Sequence, residues 1–162
     1  MLAKYLATQT GLVSGRTVLD FGCGGGLAGI AALKAGARKL IANDTDPVAV
    51  WMAGRNAARN GFGTQSDLAL DLETKNLLQL PPPPEVDIIL VGDMFYDRTV
   101  SLALVEWLGK ARKQGAAILI ADGSRPFAPK SGVSTLLEET YATDADLEGR
   151  SERVVRLLSF QP

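Results

Sequence analysis

The 162-residue chain contains no histidine and a single cysteine, Cys23. The first absence excludes Ser-His-Asp and Cys-His nucleophilic chemistry, His-ligated zinc and imidazole acid–base catalysis. The second excludes an intrachain disulfide and a cysteine-cluster metal site, and no metal is expected. Neither charge sign dominates, since 17 Lys and Arg stand against 18 Asp and Glu, a net charge of −1. The basic excess of a dedicated nucleic-acid binder is therefore missing. No apolar run reaches the roughly 18 residues that span a bilayer, and the opening stretch from Met1 to Gly11 lacks the apolar core of a secretory signal. These absences lead to the expectation of a cytoplasmic protein that uses neither membrane nor nucleic acid. Chemistry is left to carboxylates, hydroxyls, backbone amides or a bound cofactor.

What is present is a core-forming composition, 46% apolar and 22% charged, over a length that suits one domain. The chain alternates strand and helix patterns. Arg16 to Phe21 is a short apolar run ending at glycines, and Lys39 to Asn43 is a second strand. Between them a helix from about Leu27 to Ala35 stops at Gly36. Asp46 and Pro47 open the next helix as cap and first residue, and it closes on Gly61. Leu68, Leu70 and Leu72 alternate with Asp67, Ala69 and Asp71, which predicts a third strand with one face less buried. Pro81 to Pro84 form a stiff extended connector. Val86 to Val91 is the most apolar strand and is placed at the sheet centre.

Leu104, Trp107, Leu108 and Ala111 form one stripe of a helix ending at Gly115, followed by a strand from Ala116 to Ala121. The pattern then predicts a short helix near Val133 to Glu139. Two strands follow, Thr140 to Ala145 and Arg153 to Phe160, joined by a turn at Glu148-Gly149 as an antiparallel hairpin. The expected fold is α/β: a doubly wound, mostly parallel seven-stranded sheet with an antiparallel C-terminal hairpin, spanning residues 1–162 as a single domain.

The chemistry points to Val18-Leu19-Asp20-Phe21-Gly22-Cys23-Gly24-Gly25-Gly26-Leu27. Glycines directly after a first strand let backbone approach a ligand and present N–H groups at a helix start. The dinucleotide pattern G-x-G-x-x-G fails from Gly22, because its last glycine falls at Leu27. From Gly24 it fits formally through Gly26 and Gly29, yet leaves Asp20 and Gly22 unexplained. D-x-G-x-G-x-G, with Asp20, Gly22, Gly24 and Gly26, fits better and resembles motif I of the S-adenosylmethionine (SAM) dependent methyltransferases. Tight strand–helix packing alone is the plainer alternative. Asp44, ending the second strand, is placed to accept both ribose hydroxyls of an adenosine ligand, a device NAD enzymes share. Asp46 is read as a helix cap. Asp71, ending the third strand, is either a contact for the adenine amino group or a surface carboxylate. Cys23 has no His or Cys neighbour in sequence to activate it.

Gly92-Asp93-Met94-Phe95-Tyr96-Asp97 follows the central strand, at the end of the sheet where such folds bind ligands. Asp93 three positions before Tyr96 resembles the D-x-x-Y signature of a group of protein lysine methyltransferases. The likeness extends to Val18 to Gly22, Asn43 to Pro47, Val91 to Asp97, Gly123-Ser124-Arg125-Pro126 and the terminal Ser159-Phe160-Gln161-Pro162. Over essentially its whole length the chain resembles the lysine methyltransferases of the electron-transfer flavoprotein β-subunit and their bacterial relatives. The resemblance implies a SAM-dependent methyltransferase domain with that β-subunit as protein substrate. It implies Asp20, Gly22, Gly24, Gly26, Asp44 and Asp71 as cofactor-binding residues.

It also implies Asp93 in a positioning and electrostatic role toward the acceptor lysine. Tyr96 would accept a hydrogen bond from the amine or face the cation with its ring. Against these roles stand plainer ones: Asp93 as a helix cap, for which Asp97 is better placed, and Phe95 or Tyr96 as core. The family carries an upstream Pro-Gly-Gly segment that helps enclose the cofactor; this chain starts at the helix after it, so that segment is expected to be missing. Other acceptors (a ribosomal protein or a small molecule) and a non-catalytic SAM-binding module remain open. A nucleotide-dependent oxidoreductase is disfavoured by the glycine pattern.

Overall fold

The computed structural model describes residues 1–63, 69–144, 149 and 151–161. A short helix α1 (Leu2–Thr8) precedes five β/α-alternating strands: β1 (Thr17–Phe21), β2 (Lys39–Asn43), β3 (Ala69–Glu73), β4 (Ile88–Gly92) and β5 (Ala117–Asp122). The intervening helices are α2 (Leu27–Lys34), α3 (Pro47–Arg59) and α4 (Arg98–Lys113). Strands β6 (Val133–Ala142) and β7 (Glu152–Phe160) close the chain. The sheet order is β3-β2-β1-β4-β5-β7-β6. Strands β1 to β5 run parallel, and β7 lies antiparallel between β5 and β6. This is the expected doubly wound sheet with its antiparallel hairpin, and β4 occupies the centre.

Period-two alternation assigns the strands to two core layers. Leu19, Phe21, Ile89 and Val91 point into one layer with Leu104, Trp107 and Leu108 of α4. Val18, Ile88 and Leu90 point into the other with Leu6 of α1 and Leu33 of α2. Because both faces of β1 and β4 are covered, these strands read as continuous apolar runs. The helix starts follow local chemistry. Asp46 accepts the Val48 amide at 2.8 Å with Pro47 at the first position of α3, and Asp97 accepts the Val100 amide at 2.9 Å to cap α4.

One expected element is overturned. The helix predicted near Val133 to Glu139 is the first part of β6, which pairs with β7 from Val133 opposite Phe160 to Ala142 opposite Glu152. Leu136, Leu137, Glu138 and Glu139 suit a helix locally, but Val133, Thr135 and Thr140 suit a pleated strand. Pairing with β7 decides between them, since it supplies a ladder of hydrogen bonds and the Glu138–Arg156 ion pair at 2.8 Å. The third strand begins at Ala69 and runs on to Glu73. Asp67, Leu68, Ala145, Glu148 and Pro162, named in the expected strands, hairpin turn and terminal motif, lie outside the described residues. No helix among the described residues is long and apolar enough to cross a membrane.

Trp107 ties the proline connector to the core. Its ring tilts against Phe21 at 5.4 Å between centroids, and its indole N–H donates to the Leu80 carbonyl at 2.9 Å, just before Pro81. Trp107→Phe keeps the ring and leaves that carbonyl unpaired, so urea unfolding is expected to show a loss of about 1–2 kcal/mol. Trp107→Ala adds a cavity and is expected to cost about 3–5 kcal/mol.

Candidate active site

The glycine loop between β1 and α2 is held from four sides. The Cys23 amide donates to the Asn43 carbonyl at 2.9 Å, and the Gly26 amide donates back to Cys23 at 2.8 Å. The Gly24 amide donates to Asp44 Oδ2 at 3.0 Å, and Asn56 Nδ2 of α3 reaches the Gly25 carbonyl at 2.9 Å. Gly22 and Gly26 favour glycine chiefly through their backbone conformation. Both have left-handed φ, 67° and 79°. A Cβ on Gly22 would also fall 2.4 Å from the Met94 sulfur, and one on Gly26 would fall 3.0 Å from Ala53 Cβ. At Gly24, φ is 51° and a Cβ would meet nothing within 4 Å, so the loop is open on that side.

The expectation of amides presented to a ligand is thus only partly met. The amides of Cys23, Gly24, Gly26 and Gly29 are all taken by acceptors of the chain itself. Two of those acceptors are carboxylates. Asp20, buried in β1, takes the Gly29 amide at 2.8 Å. Asp44 takes the Asp46 amide at 3.1 Å through its other oxygen. Burial pushes the Asp20 carboxyl up to about 7; the Gly29 amide offsets part of this, and the nearby Asp44 charge adds to it. Burial likewise pushes the Cys23 thiol up to about 12, so it is inert toward thiolate chemistry.

A cleft of about 340 Å³ opens beside this loop. Asp20, Gly22, Cys23, Gly92 and Asp93 form its polar and backbone side, with Leu27 and Ala28 of α2 as an apolar wall. Ala121, Gly123, Arg153 and Val155 line it from β5, the turn after it and β7, and Met1, Leu2 and Ala3 from the start of the chain. Topology explains the assembly. After β3 the chain crosses to the opposite side of β1, so the loops following β1 and β4 diverge and leave a crevice.

The structure therefore brings Asp20, Gly22 and Asp93 to one cleft, with Gly24 and Gly26 further along the glycine loop and Asp44, after β2, bonded to the Gly24 amide. Phe95 is core, fully buried, whereas Tyr96 is 59% exposed and outside the cleft lining. Asp97 caps α4, which frees Asp93 from that alternative. Asp71 does not line the cleft. It lies two residues short of the end of β3 and pairs with Lys39 Nζ at 2.7 Å across the ladder. The strand's final residue, Glu73, instead accepts the Asp44 amide at 3.1 Å through its carbonyl.

Asp93 has a partner that its sequence neighbourhood does not announce. Arg125 donates to Oδ1 through Nε at 2.7 Å and to Oδ2 through Nη2, a two-point grip on the carboxylate. Arg125 and Arg153 stand 32 and 60 positions beyond Asp93, and nothing in that spacing signals contact. Only the adjacency of the β4, β5 and β7 ends brings them together.

The sheet order and its antiparallel end are those of the Rossmann-like methyltransferase fold. A solved example is magnesium protoporphyrin IX methyltransferase from Synechocystis PCC 6803 with bound SAM. It superposes with a TM-score of 0.67 over 96% of this chain and 77% of that one, at 16% identity. Within that class the chain belongs to the ribosomal protein L11 methyltransferase (PrmA) family, whose model matches residues 4–118. It is 38% identical over 126 residues to the electron transfer flavoprotein beta subunit lysine methyltransferase of Mus musculus, covering 77% of this chain and 47% of that protein. It is 42% identical over 80 residues to the ribosomal protein L11 methyltransferase of Aeromonas hydrophila, covering 49% and 25%. The chain spans about half the length of the mouse protein and its vertebrate counterparts.

Asp20 gives the site a pH signature. With its folded value raised to about 7 above an unfolded value near ~3.9, the folded state holds a proton that the unfolded state has released. Its contribution to stability is full below about pH 4 and is lost as pH rises through about 7, with a slope approaching about 1.4 kcal/mol per pH unit. Asp20→Asn retains an acceptor for Gly29 and cannot titrate. Urea unfolding across this window should show the parent losing stability relative to Asp20→Asn as pH rises, and parallel curves would remove the proton from Asp20.

Proposed function

We propose that this chain is the catalytic domain of a SAM-dependent protein lysine methyltransferase, and that its acceptor is a lysine on the β-subunit of electron-transfer flavoprotein. The observation that carries the cofactor reading is the state of the glycine loop. A dinucleotide pyrophosphate needs free amides at the start of α2, and four amides there are already bonded within the chain, two of them to carboxylates. Such a loop repels phosphate and suits a ligand with hydroxyls and positive charge. The open side of Gly24, the Asp20 carboxyl and the mixed polar and apolar cleft fit SAM in the same sense. Asp44 would hold the ribose; Gly22, Gly24 and Gly26 would admit the cofactor backbone-first; and Asp20 would fix the loop.

When bound, SAM supplies an already activated methyl electrophile, so the chain's residues are left with binding, orientation and charge. The acceptor is the harder problem. A lysine with a pKa of ~10.4 is only about 0.1% neutral near pH 7.4, a penalty of about 4 kcal/mol. Desolvation in the cleft and a nearby cation favour the neutral amine. Asp93, at the cleft floor, would orient that amine and stabilise the ammonium that forms on transfer. Tyr96, exposed on the same loop, would close on the amine as acceptor protein docks. Alignment of amine and methyl supplies several kcal/mol through orientation alone. The acceptor assignment is supported by the 34–38% identity to five vertebrate flavoprotein β-subunit methyltransferases. The PrmA family model and the Aeromonas relatives support ribosomal protein L11 as the second reading.

Purified β-subunit, incubated with the chain and labelled SAM, is expected to gain methyl groups on lysine, read by peptide mass. Asp93→Ala and Tyr96→Phe should lower kcat with SAM affinity unchanged, Asp93→Ala more severely; parental rates in both would displace this loop from the reaction. Label on L11 with the β-subunit untouched would move the acceptor to the second reading, and SAM binding without transfer to either would leave a binding module. Separately, Asp44→Ala should weaken SAM binding at least about tenfold, since charge-assisted hydrogen bonds contribute about 1.5–3 kcal/mol. Unchanged affinity in calorimetry would exclude Asp44 from the nucleoside site.

A further inference from the structure

The Asp93–Arg125 pair is built by two loops that face each other across the ends of β4 and β5. Each loop carries a non-glycine residue in the left-handed region, Asp93 at φ 47° and Ser124 at φ 61°. Such residues persist only where the surroundings over-determine them. Here the surroundings do. The Asp93 amide donates to the Ala121 carbonyl at 2.9 Å, and the Ser124 hydroxyl donates to the Val154 carbonyl of β7 at 2.9 Å. The Arg125 amide donates to Asp122 Oδ1 at 2.9 Å, and Asp122 is buried. Gly123 leaves the space: a Cβ there would fall 3.2 Å from Asp93 Oδ1 and 3.3 Å from Arg153 Cδ. All of this aims one planar guanidinium at one carboxylate.

We propose that Arg125 is a positioning residue for the acceptor: it clamps the Asp93 carboxylate in one orientation and offsets its charge, so that the incoming amine is aligned without being held as ammonium. The inference rests on the lysine methyltransferase reading. An unpaired carboxylate at the cleft floor binds a lysine well but raises its pKa, which removes the lone pair that must attack. A guanidinium held in the fork geometry leaves the carboxylate lone pairs that point away from it to accept from the amine, while its positive charge cancels most of the field. Lysine in place of Arg125 would supply the charge without the two-point aim.

Other charged and titratable residues line the same cleft: Asp20 from β1, Cys23 from the glycine loop, Met1 ahead of α1, and Arg153 from β7. Asp122, Lys130 and Arg156 line a second cavity together with Arg125, and Tyr96 and Asp97 follow Asp93 in its own loop. All of these are common to parent and variants, so the difference between their pH profiles reads Arg125.

The test is the pH dependence of kcat with β-subunit as acceptor and saturating SAM, for the parent, Arg125→Gln and Arg125→Lys, with calorimetric SAM affinity measured alongside. Arg125→Gln is expected to move the acid limb to higher pH by about one unit and to lower the acceptor KM, with kcat about tenfold down below the limb. Arg125→Lys should keep the parental limb and lose kcat through orientation alone. Coincident profiles for the parent and Arg125→Gln overturn the inference, as does a loss confined to SAM affinity. Should Arg125→Gln fail to fold, Arg125→Lys decides: lowered kcat with an unmoved limb and parental SAM affinity supports the clamp, and parental kcat overturns it. A parent that transfers no methyl group to the β-subunit or to ribosomal protein L11 overturns the lysine methyltransferase reading itself, a result distinct from an active parent whose variants keep its profile.

Discussion

The site depends on one constraint, the burial of a carboxylate at the end of the first strand. Asp20 can be buried only with a donor beside it, because an unpartnered carboxyl in the core is costly. The donor is the Gly29 amide, one turn into α2. That contact forces the helix close enough that a Cβ on Gly29 would fall 3.0 Å from Asp20 and 2.8 Å from Leu40. Glycine at 29 is therefore a consequence of aspartate at 20, and the height of α2 over the sheet follows from both. Asp44 repeats the device one strand over, tying the Gly24 amide to the end of β2.

Such tethering leaves the loop flanked by carboxylates, with several of its amides already bonded, which sets the ligand class that it tolerates. A helix start with free amides attracts phosphate. Here the same backbone position is surrounded by Asp20, Asp44 and, across the crevice, Asp93. The acidic group across the crevice is in turn tempered by Arg125, and the loop bearing that arginine is anchored on a second buried carboxylate, Asp122. Buried carboxylates at strand ends are thus used twice, each time to fix a loop whose exposed face does the binding.

The fold was largely legible in the chain because its signals are local. Apolar runs ending in glycine, Asp46-Pro47 and Asp97 as helix caps, and the stripe from Leu104 to Ala111 each act within a few residues. The strand β6 was not legible in this way. Leu136 to Glu139 satisfy helical preferences, and pairing with β7, some twenty residues further along, overrides them. The expected role of Asp71 rested on its being the last residue of β3. Strand ends are set by how far the ladder with β2 continues, which here is to Glu73 opposite Asn43.

By itself the sequence determined the order of strands and helices as far as β5, the glycine loop with its flanking Asp20 and Asp44, and the place of Asp93 after the central strand. These are matters of local spacing and turn chemistry, which act along the chain. Only the tertiary structure decided that two amides of the loop and of the start of α2 are taken by carboxylates, that Phe95 is core while Tyr96 is exposed, and that Arg125 grips Asp93. Each of these depends on how separate elements pack together, and that packing is dictated by which strands lie side by side in the sheet.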